Sequence, residues 1–191
     1  MGYHWEKAQE VLHKIVTSRS PHILIVDDII MGWNFLGAVL DGDISQHDIA
    51  LMVSLNSAQL YESKESDCWM YIWIIANLPP DTRYHKLNVL PGGFIPSPKK
   101  PKNVNSFLFP GIHHLTAIQL EGLPMWDPLT DSRYVSHVYL LFTTVDGPGL
   151  VYWDGMVGHS GKNGCRLYWG LPGRQKERGH CYYPALLCPR D

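Results

Sequence analysis

Two dense apolar runs of strand length, separated by a polar segment, constrain the fold of this chain more than any other feature. The first, IALMVSLN, spans residues 49–56, and the second, CWMYIWIIANLPPD, spans residues 68–81. Runs of this length, rich in β-branched and aromatic residues, are typical of buried strands, and Pro79-Pro80 ends the second one. We therefore predict a two-stranded hairpin joined by the polar stretch between the runs.

The segments that follow predict a third strand, a helix and a fourth strand. Residues 87–96 form a short apolar run with Gly92-Gly93. Residues 104–121 carry apolar side chains at a largely helical period, with Asn105 or Ser106 as N-cap candidates and Pro110 in the first turns. Residues 135–149 again have a buried-strand pattern, which ends in Asp146 and Gly-Pro-Gly.

The N-terminal region predicts helical structure ahead of the sheet. Residues 4–18 have the spacing of a short amphipathic helix, whereas residues 22–40 fit a kinked helix or a strand followed by a helix equally well. The adjacent acids Asp27 and Asp28 are conceivable metal ligands. Adjacent carboxylates on a helix point apart, so we favour a solvated face or an N-cap.

Composition limits the classes of function. With 191 residues, 45% of them hydrophobic, the chain is long enough for one sizeable core. Its formal charge of −2 is not that of a free-standing polyanion binder, so any DNA contact must come from a local patch. No apolar run approaches the roughly 20 residues needed to span a bilayer, which predicts a soluble intracellular protein without a membrane partner.

Asn56 and Asp146 stand at the ends of the predicted first and fourth strands. Three strands, a helix and a fourth strand form the opening order of the RNase H-like fold, in which the first and fourth strands lie side by side. Two-metal phosphodiester chemistry needs carboxylates there, because they hold divalent cations about 4 Å apart. Asp146 has the required chemistry but also suits a turn, and Asn56 offers only a neutral amide.

Several ordered blocks resemble one family. SLNSAQLYESKESDCWMYIW, LPGGFIPSPKKPKNVNSFLFPGIHHL, TTVDGPG and NGCRLYW with YYPALL are similar to the fungal branch of the CACTA-type (En/Spm-like) transposases. The resemblance covers most of residues 28–191. It implies a truncated RNase H-like α/β core with a mixed sheet, DNA as partner, Mg²⁺ or Mn²⁺ as cofactor, a nuclear location and, as one option, a homo-oligomer.

The same resemblance implies that catalysis is lost. Asp146 matches the family's second acid, and Asn56 occupies the position of the first. The third acid, a glutamate on a later helix, has no counterpart before Asp191. We therefore expect a transposase-derived protein that no longer cleaves DNA; the alternative is a repurposed DNA- or protein-binding module on the same scaffold.

The C-terminal part resembles the family's zinc-knuckle-like insertion in altered form. Trp169 stands where a second cysteine is expected, and His180-Cys181 is shifted by one place before Tyr182. Cys165, His180 and Cys181, with His159 and Cys188, are candidate zinc ligands without a recognised spacing. The alternative is buried thiols and a surface histidine. Domain boundaries are accordingly predicted at 1–45 for the helical segment, 46–157 for the core and 158–191 for the insertion.

Three further groups of residues are candidates for DNA contact or catalysis. Lys99, Lys100 and Lys102 form the clearest positive patch and could bind phosphates, although a solvated loop explains them as well. Trp69, Tyr71 and Trp73 alternate along a strand and could stack on bases, but core packing is the more common role. His113-His114 predicts one core-facing and one solvated imidazole.

Overall fold

The computed structural model describes most of the chain. The described residues are 2–17, 26–59, 67–96, 103–155, 157–158, 160–165, 172–175 and 178–183. Their helices, in chain order, are α1 (Tyr3–Thr17), a 3-10 turn (Ile29–Met31), α2 (Trp33–Leu40), α3 (Pro80–Arg83), α4 (Val104–Glu121) and α5 (Gly147–Asp154). Their strands are β1 (Ile49–Gln59), β2 (Asp67–Ile75), β3 (Val89–Pro96), β4 (Leu123–Asp127), β5 (Ser132–Ser136), β6 (Val138–Val145), β7 (Arg174–Gln175) and β8 (Tyr182–Tyr183).

Four strands form a mixed sheet in the order β3-β2-β1-β6. The Ile49 backbone N–H donates to the His137 carbonyl at 2.8 Å, where β1 and β6 both begin, so these strands are parallel. The Ala76 N–H, just after the end of β2, donates to Ala50 at the start of β1 at 2.8 Å, so β1 and β2 are antiparallel. The predicted mixed α/β architecture and the adjacency of the first and fourth strands are confirmed.

Helix α4 coincides with the prediction, but its N-cap does not. The helix spans Val104–Glu121. The cap is Asn103, whose Oδ1 accepts the Ser106 N–H at 3.2 Å, so the expectation of Asn105 or Ser106 was wrong. A side chain one place before the helix can reach the unpaired N–H groups of the first turn, which a residue already inside the turn cannot.

The region after α4 differs most from the prediction. The single strand predicted over 135–149 is instead the end of β5, all of β6 and the first residues of α5, and β5 forms an antiparallel hairpin with β4. Asp127 closes the hairpin turn, since its Oδ1 accepts the Leu129 N–H at 2.9 Å. In the N-terminal region, the described part of 22–40 is a 3-10 turn and then α2, separated by Gly32.

The chain divides into two compact units, which we describe separately. The first comprises Met1–Ser54, Tyr71–Gly93 and Phe109–Thr144, and the second Leu55–Met70, Phe94–Leu108 and Val145–Asp191. Strand alternation gives the first unit a core on both faces of its sheet. One face packs against α1 and α2 through residues that include Ala50, Met52, Ile30 and Phe35. The other packs against α4 through Leu51, Leu115 and Val138.

A buried ion pair anchors the helical segment of the first unit. Arg83 donates to both carboxylate oxygens of Asp28, with Nη1–Oδ1 at 2.9 Å and Nη2–Oδ2 at 3.1 Å, and both side chains are about 2% exposed. Nη2 also donates to the Ala76 and Leu78 carbonyls, each at 2.8 Å. Of the expected solvated face or N-cap for Asp27 and Asp28, Asp27 is exposed and Asp28 stands at the N-cap position of the 3-10 turn. The Asp28 side chain caps no backbone N–H, however, because Arg83, 55 positions away, binds and neutralises it.

A second polar cluster fixes the start of β1. The Asn77 side chain accepts the Ala50 N–H at 2.7 Å and donates to the Asp48 carbonyl at 2.9 Å and to the buried His4 ring at 3.0 Å. The Asp48 carboxylate in turn accepts the backbone N–H groups of Ser45 at 2.7 Å and His137 at 2.8 Å. Burial of Asp48 raises its pKa, but these hydrogen bonds outweigh burial and hold the pKa below its ordinary value.

Glycine at position 92 allows close packing of an aromatic ring. A Cβ at Gly92 would lie 2.0 Å from Cε2 of Tyr71, and one at Gly111 in α4 would lie 2.8 Å from the Tyr71 hydroxyl. The Tyr71 ring also meets Trp73 edge-to-face at a centroid distance of 5.7 Å. These two glycines therefore leave the space in which the Tyr71 ring lies between β3 and α4.

We expect Arg83→Met to lower the free energy of unfolding by about 3–5 kcal/mol, because it leaves the buried Asp28 carboxylate without a counter-charge. The double variant Arg83→Met/Asp28→Leu should recover part of this loss, since no buried charge remains. Glu10→Gln, which removes the exposed pairs with Lys7 and Lys14, should change the free energy of unfolding far less, because solvent screens these charges. Urea unfolding measures all three; equal losses for Arg83→Met and Glu10→Gln would contradict the expectation.

We expect Gly92→Ala to lower the free energy of unfolding by about 1–3 kcal/mol, because the new methyl group overlaps the Tyr71 ring. The midpoint of thermal unfolding should fall accordingly. Gly37→Ala is the matched control. A Cβ at Gly37, within α2, meets nothing within 4 Å, so alanine should stabilise the helix by about 0.5–1 kcal/mol. A Gly92→Ala variant as stable as the parent protein would show that the ring can move aside.

Candidate active site

Asn56 and Asp146 lie towards the same edge of the main sheet. Asn56 belongs to β1, and Asp146 directly follows the last residue of β6. Both residues belong to the second unit, and both are exposed. Because β1 and β6 are parallel neighbours, their carboxyl ends meet at one edge, as an active site at these positions requires.

The core packing shows which residues of β1 and β6 share a face of the sheet. Ile49 and Leu51 of β1 pack in the same cluster as Val138 and Leu140 of β6. Odd-numbered residues of β1 therefore share a face with even-numbered residues of β6. Asn56 is still within β1, whereas Asp146 lies one residue beyond β6 as the N-cap of α5, where strand alternation no longer sets the direction of the side chain. The two residues share an edge of the sheet.

Asp146 caps helix α5. Its Oδ1 accepts the Gly149 N–H at 2.6 Å, and its backbone is extended at φ −67° and ψ 165°. A Cβ at Gly149 would lie 2.6 Å from that oxygen, so glycine is needed for the close approach. The interpretation of Asp-Gly-Pro-Gly as a turn is therefore corrected: Gly147 begins α5, and Asp146 is the N-cap of that helix.

The described residues do not fit a two-metal site. A pair of divalent cations needs several converging carboxylates to offset their charge. Among the described residues no group of three His, Cys, Asp or Glu side chains could hold a metal ion. Asn56 is a neutral amide, and one oxygen of Asp146 already accepts a backbone hydrogen bond.

The candidate zinc ligands are only partly described. Cys165 is half-buried, whereas His180 and Cys181 are exposed, and both cysteines are free thiols. Backbone bonds tie their segments together, since the Tyr182 N–H donates to the Ser160 carbonyl at 3.0 Å. The part of this region that the structure describes brings no three donors together. His159 and Cys188 lie outside the described residues, and zinc binding stays a prediction.

The remaining candidates divide between core and surface. Trp69 and Tyr71 are buried, as core packing predicts, and Trp73 packs against the α4-side cluster. His113 and His114 are both exposed, so the expectation that one faces the core was wrong. The His113 ring instead contacts Phe109 on the same helix. Lys99, Lys100 and Lys102 lie outside the described residues.

Sequence reasoning missed the buried polar residues described above. Asp48 resembled a boundary residue before a strand, and Arg83 resembled a charged residue in a proline turn. A usable signal was present at Asn77, since an asparagine at the end of an apolar aromatic strand must find hydrogen-bond partners when it is buried. Nothing in the sequence indicated which partners these would be.

The fold and the site define an α/β protein with a mixed sheet. Strands β1 and β6 end at the same edge of this sheet, where Asp146 follows β6. The family described as transposase family tnp2 matches residues 54–169, which is more than half of the chain. The chain belongs to this transposase family. No curated protein and no solved structure gives a significant match.

Membership in a transposase family implies DNA as a partner. The matched region includes Asn56, Asp146 and Cys165, and it ends before His180 and Cys181. In the described part of the chain, no helix is both long enough and apolar enough to cross a membrane.

Variants at Asp146 separate its capping role from its charge. Asp146→Asn should stay within about 0.5 kcal/mol of the parent protein, because asparagine is an equally good N-cap. Asp146→Ala should lose about 1 kcal/mol, since the Gly149 N–H loses its partner. Thermal unfolding monitored by circular dichroism tests the order. If both substitutions cost the same, the carboxylate charge rather than the cap stabilises α5.

Proposed function

We propose that this protein derives from a CACTA-type (En/Spm-like) transposase of the fungal branch, with an RNase H-like core, and that it has lost DNA strand cleavage. The family match supports the transposase origin. The sheet order β3-β2-β1-β6, with parallel β1 and β6, supports the RNase H-like core. The ancestral reaction is metal-dependent cleavage and transfer of DNA strands.

The observation that carries the loss of cleavage is the disposition of Asn56 and Asp146. In the ancestral chemistry, Mg²⁺ or Mn²⁺ held by converging carboxylates would activate the attacking water and stabilise the leaving oxygen. Here one of the two positions is a neutral amide, which offers no charge to a divalent cation. The remaining carboxylate holds a helix terminus through one of its oxygens.

DNA binding without cleavage is the second candidate function, and the family's implied partner favours it. The loop with Lys99, Lys100 and Lys102 offers cations for the phosphate backbone, although the protein carries a net charge of −2. Such a protein would act in the nucleus, where chromosomal DNA is found, alone or as a homo-oligomer. A module that holds another protein instead would show no affinity for DNA even at low salt.

We expect the purified protein to leave supercoiled plasmid DNA intact in the presence of Mg²⁺ or Mn²⁺. Conversion to nicked circles, followed by gel electrophoresis, measures cleavage. Nicking by the parent protein that disappears in Asp146→Asn would overturn the proposal, because that variant keeps the helix cap and loses only the charge.

Asn56→Asp is the informative companion variant. It places an acid at position 56, but we expect that nicking does not return, because the Asp146 carboxylate is held as the cap of α5 by the Gly149 N–H. Nicking by Asn56→Asp that depends on Asp146 would mean that the two side chains can converge. Loss of cleavage would then rest on the missing charge alone.

A further inference from the structure

Besides the loop with Lys99, Lys100 and Lys102, the second unit has another short segment with an excess of positive charge. Residues 158–183 contain five basic side chains and one acid, Glu177, although the whole chain has a net charge of −2. The basic residues are Lys162, Arg166, Arg174, Lys176 and Arg178. The rest of the chain is correspondingly acidic, so this segment provides a local patch of the kind that binding to a polyanion requires.

Backbone hydrogen bonds connect the described cations of this segment. The Gly173 N–H donates to the Lys162 carbonyl at 2.5 Å, directly before Arg174. Strands β7 and β8 then pair antiparallel, with Arg174 opposite Tyr183. The Gln175 side chain donates to the Gly179 carbonyl across the turn that contains Arg178. Lys162, Arg174 and Arg178 therefore belong to one hydrogen-bonded framework, which we call the basic hairpin.

All three side chains of the basic hairpin are exposed. Within the part of the chain that the structure describes, no carboxylate forms an ion pair with any of them. Arg178 has a positive φ of 61°, a conformation that costs an arginine about 1 kcal/mol. Like charges on one small framework repel each other, and an external anion would relieve this repulsion.

The chemistry of these side chains fits phosphates. The guanidinium groups of Arg174 and Arg178 can each bind a phosphate through two parallel N–H groups, and the Lys162 ammonium acts as a point charge. Duplex DNA presents one negative charge per roughly 1.7 Å of its axis, so several cations on one framework can each meet a phosphate.

We propose that the basic hairpin, Lys162 with Arg174 and Arg178, contacts the phosphate backbone of DNA. This inference rests on the proposed DNA partner and assigns the contact to a segment that resembles a zinc knuckle. Backbone hydrogen bonds and the Gln175 side chain hold the framework together. Because the proposed contact is to phosphates, the binding it supplies is independent of sequence.

The test is the salt dependence of binding to a fluorescently labelled duplex, followed by anisotropy between 50 and 200 mM salt. The triple variant Lys162→Gln/Arg174→Gln/Arg178→Gln should reduce the slope of log affinity against log salt by about 2.7. Between 50 and 200 mM salt, the factor by which the triple variant loses affinity should then be about 40-fold smaller than the factor for the parent protein. Each single substitution should reduce the slope by about 0.9, which keeps the test usable if the triple variant unfolds.

Two matched triple variants complete the experiment. Lys14→Gln/Lys86→Gln/Arg133→Gln removes the same charge from exposed positions of the first unit and should leave the slope nearly unchanged. Lys99→Gln/Lys100→Gln/Lys102→Gln examines the proline-rich loop. If the parent protein binds DNA but only the loop or first-unit variant reduces the slope, the basic hairpin is not the contact. If the parent protein fails to bind at 50 mM salt, the proposed DNA partner is itself wrong.

Discussion

The arrangement of the first unit depends on the guanidinium group of Arg83. This cation is almost fully buried, and it satisfies the carbonyls of Ala76 and Leu78, where the chain leaves β2, as well as the carboxylate of Asp28, ahead of α2. An isolated charge in this position would cost several kcal/mol, so neither partner is tolerable without the other. The pair therefore selects the one docking of the helical segment on the sheet in which both charges meet.

The Asn77 amide has a complementary role on the same side of the sheet. The amide donates to the Asp48 carbonyl and accepts the Ala50 N–H, two backbone groups that strand pairing leaves unpaired. It also donates to the ring of His4, which links the start of β1 to α1. Apolar contacts between helix and sheet are not directional, whereas these hydrogen bonds are. The two polar clusters thus fix the register of α1 and of the entry to α2 on a core that apolar packing alone would leave less specific.

Local signals were enough to predict the elements whose pattern is self-contained. The apolar runs at 49–56 and 68–75 and the helical period of 104–121 need no distant partner to be recognised. The Asp28–Arg83 pair joins residues 55 positions apart, and periodicity contains no information about such a contact. The β4–β5 hairpin was missed because exposed Pro124, Trp126 and Val135 blur the alternation of a strand.

The strand order around Asn56 and Asp146 was predictable from the sequence, whereas the direction of a side chain was not. Strand order brings the ends of β1 and β6 to one edge of the sheet. Which face a side chain occupies depends on the register, and a shift of one residue reverses it. The structure shows the register of β1 and β6, because Leu51 and Val138 pack in one core cluster. Met52 and Tyr139 pack in the other cluster, on the opposite face of the sheet.

Loss of cleavage and retention of DNA binding are physically compatible in this arrangement. Carboxylates at a surface that meets phosphates are repulsive unless a divalent cation lies between them, so an acidic site without its metal opposes binding. An amide at Asn56 removes one such charge, and the helix terminus at Gly149 partly offsets the other through its hydrogen bond to Asp146. If Asn56 stands in place of an ancestral acid, as proposed, the amide that removes a metal ligand also lowers the electrostatic cost of holding DNA there without a metal.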